Sequence, residues 1–128
     1  MKSAGEIALN KQIDDSGGLF TTLQVATLLG INPSAVIKLL ERGRLLSLPF
    51  GGSIGYPVWQ FNENGVVENF VDIMAMLDTS SSVGIFHFFL TYDEDLGQTP
   101  INALKEGMPR HLKMLKILAA QFNQQMAR

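Results

Sequence analysis

Ser34, Ile37, Lys38 and Glu41 recur three and four residues apart in the run NPSAVIKLLERGR, while Val36, Leu39 and Leu40 occupy the intervening apolar positions. A helix over 33–42 therefore buries the second set and displays the first. The displayed groups have a shared chemistry. Ser34 lies near the helix N-terminus, where the backbone dipole favours a phosphate or a base edge. Lys38 has the reach for a guanine or a phosphate, and Ile37 suits a thymine methyl. Arg42 and Arg44 at the far end read as clamps on a nucleic-acid backbone. Glu41 works against this set unless it pairs with Lys38 or Arg42, or accepts from a cytosine.

Other chemistries find little support. The chain has no Cys, which removes disulfides, thiolate nucleophiles and Cys-based zinc sites. His87 and His111 fall in different predicted helices, with no second ligand at a metal-site spacing. Asp93-Glu94-Asp95 lacks the Gly and the later Glu of a calcium loop, and reads as a solvated loop. There is no G-x-S-x-G, P-loop or H-E-x-x-H. The expectation is a protein that is not an enzyme and carries no cofactor or metal.

The elements that must position the 33–42 helix are legible in their punctuation. Thr22 reads as the N-cap of a helix over 23–29, stopped by Gly30. Asn32 caps the next helix, Pro33 takes its first position and Gly43 follows its end. Ala26, Gly30, Val36 and Leu39 have the A-x3-G-x5-V-x2-L spacing of a helix-turn-helix, with Val25, Leu29 and Ile31 filling the remaining inward positions. An ordinary helical hairpin with no DNA role satisfies the same spacing. Two β-prone runs follow, Leu45–Leu48 and Ile54–Phe61, joined by Phe50-Gly51-Gly52-Ser53. Such a hairpin serves as a wing, with Gly51, Gly52 and Ser53 permitting close backbone approach, or simply packs Tyr56, Trp59 and Phe61 on the core. Pro57 places the second run at an edge or a bulge.

Residues 1–18 read as an arm or short helix with Leu9 and Ile13 on one face, ended by Ser16-Gly17-Gly18. Beyond residue 62 the pattern is helical. Helices are expected over Val66–Leu77, from Ser80-Ser81-Ser82 to Tyr92 with Phe86 and Phe89 in the core, from Pro100 to Gly107, and from Pro109 onward. The last carries a stripe of Leu112, Leu115, Leu118, Phe122 and Met126. The expected fold is thus mainly α with a small β-hairpin, a winged helix-turn-helix-like part over 19–61 followed by a C-terminal helical bundle over 62–128.

The net charge of −2 conceals a strong asymmetry. Residues 19–61 carry +2, residues 62–104 carry −7 with no Lys or Arg, and residues 105–128 carry +4. The acidity belongs to the middle of the chain, and the 33–42 helix lies in a locally basic stretch. No apolar run reaches 18 residues and no leader pattern precedes residue 18, so a cytoplasmic protein with no membrane partner is expected.

Two sets of residues carry a family resemblance spanning roughly residues 19–120. The first comprises Glu41-Arg42-Gly43-Arg44-Leu45, Gly51-Gly52 and Tyr56-Pro57-Val58-Trp59-Gln60-Phe61; the second comprises Phe88-Phe89-Leu90, Leu96-Gly97-Gln98-Thr99-Pro100-Ile101-Asn102-Ala103-Leu104 and Gly107. In this order they resemble bacterial antitoxin-like proteins of the Xre/MbcA/ParS group. The chain departs from the pattern in a turn, Gly-Gly-Ser-Ile-Gly-Tyr, without basic residues, and in Gln98 where a second Gly is usual. The resemblance implies a homodimeric antitoxin that represses its own operon on double-stranded DNA and neutralises a cognate toxin through its C-terminal domain. The outward residues of the 33–42 helix and the turn give the expected DNA contacts, Ser34, Ile37, Lys38, Arg42, Arg44, Gly52 and Ser53, and the resemblance places toxin contacts at Leu96, Gly97, Thr99, Pro100 and Leu104. The rival readings are a protein-interaction module that keeps the helix-turn-helix shape without DNA binding, and a transcription factor without a toxin partner.

Overall fold

Local capping chemistry accounts for most helix boundaries in the computed structural model, which describes residues 2–126, the Met126 side chain excepted. Seven α-helices and two small antiparallel sheets among these residues make the chain mainly helical. No single helix is long and apolar enough to cross a membrane. The chain divides into two compact units between Phe61 and Asn62.

In the first unit, α1 (Ala4–Asp15) starts at Ser3, whose hydroxyl accepts from the Glu6 N–H. Its Ile13 is buried while most of its other residues are exposed, so α1 is a surface helix anchored by one side chain. The two-residue strand β1 (Leu19–Phe20) leads into α2 (Thr22–Leu29). The cap of α2 is Thr21, one residue before the expected Thr22, because Gln24 stands at the third helical position and closes a reciprocal capping box. Gly30, at φ 68°, ends α2 in a left-handed turn: the Ile31 N–H bonds the Ala26 carbonyl and the Gly30 N–H the Thr27 carbonyl. Next, α3 (Pro33–Glu41) begins under the Asn32 cap and closes on Gly43 in the same way, with Arg44 N–H on the Leu39 carbonyl.

Strands β2 (Leu48–Phe50) and β3 (Ser53–Pro57) form the hairpin. Gly51 and Gly52 both take positive φ, as the tight two-residue turn between Phe50 and Ser53 requires. The sheet has a third strand. β1 pairs with β3, Leu19 opposite Pro57 and Phe20 opposite Tyr56, so β3 is central rather than an edge. Pro57 is tolerated because it is the last residue of β3, beyond the β2 register that ends at Leu48–Gly55. A 3-10 turn over Val58–Gln60 brings the chain to β4 (Phe61–Asn62).

Residues 66–69 depart from the helix expected over Val66–Leu77. β5 (Gly65–Val66) pairs with β4, the Asn62 side chain accepts from the Asn64 N–H, and Asn69 adopts φ 68°. Only α4 (Phe70–Met76) is helical there. It is followed by α5 (Ser82–Leu90), capped by Ser81, α6 (Pro100–Glu106), capped by Thr99, and α7 (Pro109–Met126). The second unit's core brings Phe70, Ile73, Phe86, Phe89, Ile101, Leu115 and Ala119 together, with the Phe70 and Phe89 rings 4.7 Å apart. On α7 the buried line is His111, Leu115 and Ala119 at helical spacing; Leu112, Leu118 and Phe122 of the expected stripe are half-buried, and Met126 lies outside the described side chains.

Candidate nucleic-acid interface and partner-facing residues

The first unit presents α3 on a rigid frame. Helices α2 and α3 are bent by 99° across the three residues Gly30, Ile31 and Asn32. Val25, Ala26 and Val36 fill the space between them and are buried, while Leu29, Leu39 and Leu40 are half-buried and Ile31 is exposed. Ile31 was an expected inward residue; its place in the turn after Gly30 leaves it at the surface.

Each displayed residue of α3 can now be placed. Lys38, Arg42 and Arg44 are exposed, and none of them forms an ion pair among the described residues, with Glu41 or any other acid. Both arginines lie at the C-terminal end of α3, where cations are favoured by the helix dipole. Ile37 is 36% exposed. Ser34 differs from the expectation: its hydroxyl donates to Asn32 Oδ1 at 2.7 Å, the atom that also accepts from Ala35 N–H. Its proton is committed to the helix cap and must be redirected before it serves a phosphate.

Gly52 and Ser53 are exposed at the hairpin tip. The tip is apolar rather than cationic: Phe50 is 51% exposed, and Pro49 and Ile54, a cross-strand pair, are exposed beside it.

Two side chains hold this frame: Gln60, to which the sequence reading gave no role, and Tyr56, one of the expected core residues. Gln60 is fully buried; its Oε1 accepts from Leu46 N–H at 2.9 Å, and its Nε2 donates to the carbonyls of Leu46 at 2.8 Å and Pro57 at 3.2 Å. A side-chain amide thereby replaces a strand partner for the segment that carries α3 into β2. Tyr56, also fully buried, meets the Thr22 hydroxyl through its own at 3.1 Å, tying β3 to the start of α2. A buried Gln beside Trp and Phe is the available sequence signal, but only pairing across 14 residues gives it meaning.

In the second unit the expected partner residues separate into two groups. Leu96, Pro100 and Leu104 are buried, so they build the interior instead of offering a contact surface. Gly97 is exposed, and Thr99 is half-buried with its hydroxyl accepting from Asn102 N–H at 3.3 Å. The loop before them is organised by Asp93, whose Oδ1 accepts from the N–H groups of Asp95 at 2.9 Å and Leu96 at 3.1 Å. Its backbone N–H meets the Gln98 carbonyl, and its carbonyl receives the Gly97 N–H. Gly97 carries the positive φ of this turn, so Gln98 needs no glycine-like freedom. His111 is buried on α7 with Nδ1 3.5 Å from Glu106 Oε2, a contact outside hydrogen-bond geometry. No three His, Asp or Glu side chains converge in metal-site geometry among the described residues.

No family model matches the chain, and no curated protein matches it. Among solved structures it is similar to the NMR structure of Rv2175c, with a TM-score of 0.64 and 21% identity over 80% of each chain. At that identity the likeness is one of fold.

Proposed function

We propose that the chain is a DNA-binding transcriptional regulator of antitoxin type. In this reading the first unit is a winged helix-turn-helix in which α3 lies in the major groove, and the second unit serves a protein partner. The observation that carries it is the exposed face of α3: Lys38, Arg42 and Arg44 form no ion pair among the described residues, on a helix held by a steep hairpin. Free cations on a pre-set frame bind phosphates without first breaking an internal pair. Two protomers double a footprint that is thin in one. The test is a mobility shift on the DNA upstream of the chain's own gene. Lys38→Ala combined with Arg44→Ala abolishes the shift while thermal unfolding stays unchanged; a double variant that binds as tightly as the parent removes α3 from the interface.

A protein-interaction role for the hairpin is the second reading, favoured by its exposed apolar residues: Leu23 is 66% exposed, and Leu28, Ile31, Phe50 and Ile54 are exposed too. Here Leu23→Ser disrupts partner capture and leaves DNA unbound in parent and variant alike, whereas the DNA reading requires binding in both.

A further inference from the structure

The second unit contains a groove of about 330 Å³ between the C-terminal half of α5 and the C-terminal half of α7. This is within the range of small ligand sites. Phe88 and Phe122 lie along it with their rings edge-on, 5.6 Å apart. Tyr92 stands at its margin, 63% exposed, and His87, Asp93 and Gln121 provide polar groups. Among the described residues no Lys or Arg lines the groove, none occurs in the sequence over residues 62–104, and the exposed Glu94 and Asp95 follow Asp93 directly.

The Asp93 carboxylate is oriented without being neutralised. Its Oδ1 is held by two backbone N–H groups, and no cation pairs with the carboxylate among the described residues. A fixed carboxylate beside the exposed Tyr92 ring attracts a cation through both Coulomb and cation–π terms. An anion is repelled by the acidic loop. An apolar helix laid into the groove covers the carboxylate without a counter-charge, which is unfavourable. A guanidinium fits better than an ammonium, because it is planar, weakly hydrated, stacks on a ring and forks onto a carboxylate.

We infer that this groove binds an arginine side chain of a partner polypeptide, the guanidinium stacked on Tyr92 with its charge against Asp93. The inference rests on the partner-binding part of the reading above and needs no DNA. The full chain is titrated with acetyl-Ala-Arg-Ala-amide, and with the Glu and Leu analogues, while amide and aromatic NMR resonances are followed. The Arg peptide shifts His87, Phe88, Tyr92 and Phe122 saturably, and the Glu and Leu peptides do not. Tyr92→Ala weakens binding about two- to fivefold, the range of an exposed cation–π contact. Asp93→Asn, which keeps the Oδ1 acceptor and so the loop, weakens it about tenfold, as loss of a charged hydrogen bond does. Both variants keep the parent spectrum elsewhere, so loss of binding is separable from loss of fold. Equal binding of the Leu peptide, an unchanged affinity in Asp93→Asn, or shifts spread over Glu63, Glu68 and Asp72 overturn the assignment. Because the probe is a free peptide, a failed titration removes the groove alone; copurification of a partner protein decides the partner reading separately.

Discussion

Replacing Gln60 by Leu tests whether one buried amide supports the frame that presents α3. The substitution conserves volume closely, so no large cavity forms and the loss is mainly of hydrogen bonds. Three are removed, at 2.9, 2.8 and 3.2 Å. At about 1 kcal/mol each they amount to about 3 kcal/mol, and the buried N–H and carbonyl of Leu46 left without their Gln60 partner raise this to about 3–5 kcal/mol. A unit of this length has a stability on the order of 3–9 kcal/mol. The variant's first unit therefore loses about a third or more of its stability and, at the low end of that range, is unfolded at 25 °C. Trp59 is the chain's single Trp and is buried next to Gln60, so its fluorescence in urea reports this unit. With a slope of about 1 kcal/mol/M, the midpoint falls by about 3–5 M or the native baseline disappears. Gln60→Glu fares no better, since it lacks the Nε2 donor and buries a charge. A midpoint shift below about 0.5 M in Gln60→Leu, at unchanged slope, refutes the reasoning.

Three further outcomes are expected. A Cβ added at Gly55 falls 2.6 Å from Leu19 Cδ1 and 2.8 Å from Leu19 Cβ, so Gly55→Ala destabilises the first unit by about 1–3 kcal/mol, and Leu19→Ala in the same chain recovers part of that loss in a double-mutant cycle. In the second unit, Asn123 accepts from Asp78 N–H at 2.6 Å and donates to the Met76 carbonyl at 2.9 Å. Its replacement by Ala lowers stability by about 1–2 kcal/mol and speeds hydrogen exchange at the C-terminal end of α4, where an unaltered exchange pattern contradicts the clamp. Finally, if Lys38, Arg42 and Arg44 are the phosphate contacts, log affinity for DNA falls against log salt with a slope of about −5 for two protomers or about −3 for one; a slope near zero excludes them.

The hairpin of α2 and α3 is legible in the sequence because its determinants are local. Asn32 and Pro33 start α3, and Gly30 and Gly43 stop the two helices through bonds spanning at most five residues. The turn between β2 and β3 is legible for the same reason, since Gly51-Gly52 satisfies its need for positive φ. The displayed cations follow from helical periodicity once α3 is placed. Other features escape this reasoning. β1 is two residues long and exists only because β3 offers it a ladder across the chain. Val66 of β5 opens the apolar run that reads as a helix, so the pairing of β5 with β4 is not legible in the sequence. Leu96, Pro100 and Leu104 stand in a conspicuous motif, yet they are buried, and periodicity in so short a helix does not distinguish an inward from an outward face.

Sequence by itself therefore determined where α3 begins, where α2 and α3 end, where the tight turn falls and which segments carry which charge, because caps, glycines and charges act over a few residues. Tertiary structure decided which polar groups are structural. Gln60 and Asn123 reach backbone partners 14 and 45–47 residues away, and Asp93 is fixed within a closed loop that completes the groove. A side chain's role as clamp or contact depends on what folding brings to it, and that information lies in no local pattern.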